Sequence, residues 1–556
     1  VLAAFTVTSP LDGGPGSLRD AIEQANRLPK EEHTIQFSPS AGDAIVLTGP
    51  LPVVAVDLKI EGPAEDPVTI ARDPSPEAEP FRIFTVAEDA ELRMKWLVLA
   101  NGQADFGGAI LNEGFVALEN SVLVGNQARF KGGAIYNRGS IWTNYVRIED
   151  NAVEGRASIG FGPAGIGRGG GIYNDGRATV LLTSFIGNRA NREGGAVFNE
   201  GTLSLQSSTM SRNVAEGFVL AGGKVPFGRG GGIYNAHTVL IDGSTIVENQ
   251  ANRAGGGIFS NVIRGGSNRN NPYRIEDSTI SSSIVADNVG GDFINKTGTF
   301  LSLGHNLFDS PPEVAPLPSD FVGVDPLLSS LGDHGGFTPT YVPLPGSPAL
   351  DSGLRDEEFV YDQRGYPRPA SEADIGAVEA HGFSLDVVSG GGQAAPPGSA
   401  FPSPLVVSVV GKLGDPVAGG WVTFGVPGSG ASAVLSSSTA MIDPSGRAGV
   451  RAVAGPVPGT YAVEARAGAG SVASFELTNE GTPPPVEAAE VGAPRPASSG
   501  RPAPPSSTQR TSPYRASPRS PRPISPAPLG PIAARWAALA DRSTLRNLFG
   551  ARGRAS

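Results

Sequence analysis

Between Gly107 and Ser260 the chain writes six near-copies of one phrase: Gly107-Gly-Ala-Ile-Leu-Asn112, Gly132-Gly-Ala-Ile-Tyr-Asn137, Gly169-Gly-Gly-Ile-Tyr-Asn174, Gly194-Gly-Ala-Val-Phe-Asn199, Gly230-Gly-Gly-Ile-Tyr-Asn235 and Gly255-Gly-Gly-Ile-Phe-Ser260. Successive copies are 25, 37, 25, 36 and 25 residues apart, so a short unit alternates with one that carries an insert. A second apolar stretch follows each phrase, as in Val180-Leu-Leu182, and then a third with its own Asn marker, as in Ser184-Phe-Ile-Gly-Asn188. Three short strands and three tight turns per unit are the expected result.

Alone, such a unit satisfies neither its backbone nor its apolar face. Stacked at about 4.8 Å, each strand bonds to the strands above and below it. The repeat therefore predicts a parallel β-helix in which Asn residues align into two columns. One column holds Asn112, Asn137, Asn174, Asn199 and Asn235, and the other Asn126, Asn151, Asn188, Asn213, Asn249 and Asn288. Stacked side-chain amides bond along a column and tolerate turn conformations, so the expected role of these Asn is structural, not catalytic.

Composition limits what else the chain can be. With 556 residues, 76 Gly and 49 Pro, several turn-rich modules are expected, and the absence of Cys excludes disulfides and thiolate metal or redox sites. The net charge of −11 is uneven: Gly481–Ser556 has 11 Arg, no Lys and three acidic residues, so this tail carries +8 and the rest −19. So acidic a body repels nucleic acid, which is not an expected partner. The basic tail is the only part expected to touch a membrane, and no apolar run approaches the ~20 residues that span a bilayer. The first residues, Val-Leu-Ala-Ala, suit a chain from which a secretion signal has been removed.

This region resembles the right-handed parallel β-helix family of secreted and surface proteins, which includes polysaccharide lyases, hydrolases and adhesin passengers. The Gly-Gly-Ala-Ile-Tyr-Asn phrase is similar to repeats of bacterial polymorphic outer-membrane proteins. Gly16-Ser-Leu-Arg-Asp-Ala-Ile22 is similar to the motif with which such helices begin, with Gly16 where Cys is frequent. Ser17 and Asp20 independently read as a capping box with Asp in place of Glu, so a short helix is expected to plug the first coil.

Asp325-Pro-Leu-Leu328, Leu344-Pro-Gly-Ser-Pro-Ala-Leu-Asp351, Asp362-Gln-Arg-Gly-Tyr-Pro-Arg-Pro369 and Asp374-Ile-Gly-Ala-Val-Glu379 resemble the choice-of-anchor module of secreted bacterial proteins. Residues 383–480 alternate apolar and polar positions between Gly/Pro turns, which predicts a small β-sandwich. Asp443-Pro-Ser-Gly-Arg-Ala448 and Pro458-Gly-Thr-Tyr461 are similar to signatures of invasin-type bacterial Ig-like domains. The expected organisation is a cap and leading strand over 1–35, a β-helix over 36–308, a closing module over 309–382, the sandwich over 383–480, and a disordered basic tail over 481–556 with an amphipathic helix at 532–549.

Every phrase after the first is preceded by basic residues: Arg129 and Lys131, Arg168, Arg192, Arg229 and Arg253. They are expected to line one edge of the rod, beside two inserts at 153–167 and 215–228. With Phe161, Phe218 and Phe227 available to stack on sugar rings, they form the candidate ligand surface. Carboxylates that could act in pairs on a glycosidic bond, or hold Ca²⁺, are Glu149 with Asp150, and Asp277 with Asp287 and Asp292; none sits in a catalytic motif, and no cofactor is expected. His33, His237, His305, His334 and His381 lack metal-ligand spacing. The expected function is adhesion or polysaccharide contact outside the cell or on its surface, without catalysis. The alternatives are a β-helix lyase or hydrolase, and a purely structural envelope rod.

Overall fold

The computed structural model describes residues 2–75, 77–155, 167–217, 227–262, 277–354, 360–468 and 471–481. Phe161, Phe218, most of both inserts and nearly all of the basic tail, including 532–549, lie outside the described residues.

From Ala4 to Val322 the chain winds as a parallel β-helix with three sheets, which we call first, second and third. The first has eight strands and carries the repeated phrase, with Ile110–Asn112, Ile135–Asn137, Ile172–Asn174, Val197–Asn199 and Ile233–Asn235 stacked in unbroken register. The second has 20 strands, two segments per coil, and the third has six very short ones. The second and third stretches predicted for each unit fall on this one second sheet, and the third sheet supplies an extra strand that can be as short as Arg189–Ala190.

Each corner of the coil uses a left-handed residue. One column, Trp96, Asn120, Tyr145, Leu182, Ser207, Gly243 and Ser282, bends the second sheet in its middle, with φ between 40° and 56°. Another immediately precedes the Asn of the second column: Gly125, Asp150, Gly187, Arg212, Glu248 and Asp287. The third is the first Gly of each phrase, at φ 58–70°. A Cβ on Gly132 would sit 2.1 Å from its own unit's Ile135 carbonyl, and one on Gly133 2.0 Å from the Gly170 carbonyl one coil on. The Gly-Gly pair therefore serves two needs, a left-handed turn and close approach of neighbouring coils.

Inside, one apolar core runs unbroken from Val7 to Val314. The predicted helix, Leu18–Asn26, buries Leu18, Ala21, Ile22 and Ala25 in it and covers the open end. Ser17 Oγ accepts from Asp20 N–H at 3.1 Å, while Asp20 Oδ2 accepts from Gly16 N–H at 3.0 Å, one residue earlier than in a standard box.

Both Asn columns form hydrogen-bonded ladders. In the first, Nδ2 donates to the next Oδ1 at 2.7–2.8 Å from Asn112 through Asn137, Asn174 and Asn199 to Asn235. In the second, Asn126, Asn151, Asn188, Asn213, Asn249 and Asn288 repeat this at 2.8–3.0 Å, and each Oδ1 from Asn151 onward also accepts the backbone N–H of the preceding rung. The buried corners thus satisfy their own polar backbone.

Beyond the last coil the chain folds back along the outer side of the second sheet. Thr340 and Gln363 bond to Thr209 at 2.8 and 2.6 Å, Tyr341 OH meets Ser211 Oγ at 2.6 Å, and Ala377 N–H donates to Thr245 Oγ1 at 2.9 Å. Behind these contacts lies a buried ionic network in which Arg364 bonds to Asp362 and Asp415, and Arg368 to Glu379. Residues 383–468 and 471–479 form mainly antiparallel sheets, with Gln393–Ala395 joining as a parallel strand, around a separate core that includes Val407, Phe424, Val463 and Phe475. The Arg364–Asp415 pair, at 2.6 Å, and Trp421 N–H donating to Pro345 O at 2.7 Å join this unit to the preceding segment.

Candidate ligand-contact surfaces

In each short first-sheet strand the outer two side chains point into the core and the middle one, the fifth residue of the phrase, faces out; it is Leu111 in the first phrase and aromatic in the others. The aromatic residues are Tyr136, Tyr173, Phe198, Tyr234 and Phe259, which stack coil upon coil with ring centroids 4.8–5.3 Å apart. The aromatic ladder was readable in the phrase itself, at its fifth position, but escapes a reading that follows only glycine and asparagine.

Three of the predicted basic residues, Lys131, Arg168 and Arg229, lie along the edge of this ladder. Lys131, Arg168, Glu193, Arg229 and Ala254 form a single register column. Lys131 Nζ sits 4.1 Å from the Tyr173 ring centroid and donates to Tyr173 OH at 2.7 Å. Arg168 lies over Phe198 at 4.5 Å, Arg229 over Phe259 at 5.2 Å, and Arg192 over Phe227 at 3.6 Å. Glu193, only 2% exposed, sits among three of them, with Arg168 Nε at 3.0 Å, Arg229 Nη1 at 3.7 Å and Arg192 Nε at 3.9 Å.

Burial pushes the Lys131 ammonium below its ordinary pKa and the Tyr173 phenol, bonded to Glu200, well above its own. Lys131, Arg168, Arg192 and Arg229 are thus engaged in cation–π and ionic contacts, which brace the ladder. Arg129 lies outside this column, two-thirds exposed, 4.8 Å over Phe130 and 4.0 Å from Asp105. Arg253 is exposed one residue before Ala254.

The carboxylate candidates divide. Glu149 is held bidentately by Arg147 at 2.8 and 2.9 Å, and Asp150 takes a left-handed corner at φ 52°. Asp277, at the start of Ser278–Ser281, is on a different corner from Asp287 and Asp292. Asp292 ends the second Asn ladder, its Oδ1 accepting both Asn288 N–H at 3.1 Å and Asn288 Nδ2 at 2.9 Å, with Ser310 Oγ on its other oxygen. Burial, and then a hydrogen bond with Asp309, push Asp292 up to about 7. Asp309, which the sequence reading missed, also accepts Asp287 N–H at 2.7 Å. Among the described residues no group of three or more His, Asp or Glu is arranged to hold a metal ion.

A different surface is open. At the N-terminal end of the third sheet a groove of about 670 Å³ is lined by Arg82, Gln103, Asp105, Gln127, Arg129 and Glu154.

Residues 182–200, one phrase and the turn before it, match the Chlamydia polymorphic membrane protein repeat. Comparison with curated proteins finds no match. No helix among the described residues is long and apolar enough to cross a membrane.

Proposed function

We propose that this chain is a secreted or surface-displayed β-helix rod that contacts polysaccharide or another cell-surface component. The observation that carries this reading is the match of residues 182–200 to a repeat described from membrane proteins, placed within a solenoid whose rungs share one register. The segment 309–382 acts as a choice-of-anchor-like brace, and 383–480 as an Ig-like spacer that holds the rod away from its point of attachment.

Two measurements test the reading on the full chain in cells that produce it. Protease added outside intact cells, together with fractionation, should find the rod in the medium or at the surface; a wholly cytosolic protein would refute it. The purified protein should be retained on a polysaccharide panel without cleaving it. Release of reducing or unsaturated ends would replace the binding function with a lyase or hydrolase, and self-association without retention would replace it with an envelope rod.

A further inference from the structure

We propose that the groove on the third sheet is a binding site for an uncharged polysaccharide chain, laid along the rod axis with about one sugar per coil. This rests on the polysaccharide-contact reading and specifies where and to what the rod binds.

The groove crosses four consecutive coils. Gln103 N–H donates to Phe81 O at 2.9 Å in the coil below, Gln103 pairs in register with Gln127, and Gln127 pairs with Ala152. Three coil spacings of about 4.8 Å make a floor roughly 14 Å long, room for about three pyranose units end to end. Gln103 and Gln127 lie one above the other, so two successive sugars meet the same donor and acceptor, while Arg82 and Glu154 flank them in the outer coils.

Elsewhere on this sheet outward polar side chains are paired: Arg189 with Glu216, Gln250 with Asn252 at 3.1 Å, and Asn191 with the Gly155 carbonyl at 3.2 Å. In the groove, the side chains of Gln103, Gln127 and Glu154 make no hydrogen bond to any described residue. Arg82 forms a rigid wall, its guanidinium fixed by Phe106 O at 2.7 Å and Thr85 Oγ1 at 3.1 Å. Unspent amides and a carboxylate in a concave, pre-set wall suit a ligand rich in hydroxyls.

Charge decides between ligand classes. Arg82 and Arg129 face Asp105 and Glu154, so the lining sums to zero and offers a polyanion no net attraction. The densest cluster of bases, around Glu193, is already engaged on the aromatic ladder. A neutral chain whose hydroxyls bridge amide and carboxylate fits the groove better than an acidic one.

The test is equilibrium binding of the full chain to neutral β-linked glucan, xylan and mannan hexasaccharides, with polygalacturonate and heparin as acidic probes. At least one neutral probe should bind, with an affinity that changes little from about 0.05 to 0.5 M NaCl. Gln103→Ala with Gln127→Ala should weaken it about tenfold or more while leaving the melting temperature unchanged. Arg192→Ala with Arg253→Ala should not weaken it. Neutral binding that survives the Gln variants, or salt-sensitive binding of acidic probes alone, would overturn the groove while leaving polysaccharide contact standing. Binding of no probe by the unaltered protein would refute both.

Discussion

Asn188 offers a direct test of whether the ladders hold the coils together. Its side chain is fully buried and makes four hydrogen bonds. Oδ1 accepts Asn151 N–H at 3.1 Å and Asn151 Nδ2 at 3.0 Å, while Nδ2 donates to Ile148 O at 2.8 Å and to Asn213 Oδ1 at 2.9 Å. In Asn188→Ala the Asn151 amide loses its acceptor, but Asn151 Nδ2 keeps Leu123 O and Asn213 Oδ1 keeps the backbone N–H of residue 188. One orphaned N–H at about 2 kcal/mol and three further lost bonds at roughly 0.5–1 kcal/mol each give an expected loss of about 4 kcal/mol.

Asn112→Val is the matched control at the first rung of the other ladder. Asn112 Oδ1 is already buried without a partner, because the preceding coil places Val86 at this register. Replacing Asn112 with Val moves the orphan up to Asn137 Oδ1 and removes the bond to Ser140 O, an expected cost of about 1 kcal/mol. Urea unfolding of the full chain, followed by both far-ultraviolet circular dichroism and tryptophan fluorescence, measures the difference; the probes must coincide, since a solenoid need not melt as a unit. Equal losses for the two variants, or less than about 1 kcal/mol for Asn188→Ala, would refute the proposition that internal rungs satisfy the corners.

Three further outcomes follow from buried charge. Glu193→Gln removes the one carboxylate shared by Arg168, Arg192 and Arg229 and should cost about 3 kcal/mol by denaturant titration. Asp292 and Glu379, each pushed up to about 7 chiefly by burial, and Asp374, raised well above its ordinary value, hold protons more tightly folded than unfolded. The contribution of Asp292 and Glu379 is complete below about pH 4 and is lost as pH rises through about 7, and Asp374 acts in the same direction, so the melting temperature should fall over that interval, and Asp292→Asn should flatten the profile. Asp415→Ala leaves the fully buried Arg364 guanidinium short of a carboxylate, and should make residues 383–481 susceptible to protease at lower temperature than the β-helix.

The solenoid, its helical cap and both Asn columns were legible because they recur: a 25-residue step repeated through Gly-Gly and Asn leaves one way to satisfy the turns. The third-sheet strands were not, because two residues such as Arg189–Ala190 carry no periodicity and their inward side chains are mostly Ala. Lys131, Arg168 and Arg229 share one column, but counting charge along the chain hid Glu193, which enters that column only when coils are superposed. Contacts such as Thr209 with Thr340, separated by 131 residues, have no local signature, so the fold-back along the second sheet was invisible. Asp309 escaped for the same reason, since its partner Asp292 lies in another turn.

Each internal ladder amide accepts from the rung below and donates to the rung above, which makes the ladder positions interchangeable. Excising residues 170–194 would set Asn137 beneath Asn199 and Asn151 beneath Asn213, pairings chemically identical to those removed. The rod would shorten by about 4.8 Å with no new unmet group in either file. As far as the ladders are concerned, reach is a matter of how many copies the gene carries, while this particular coil also takes with it Glu193, the carboxylate between Arg168 and Arg229.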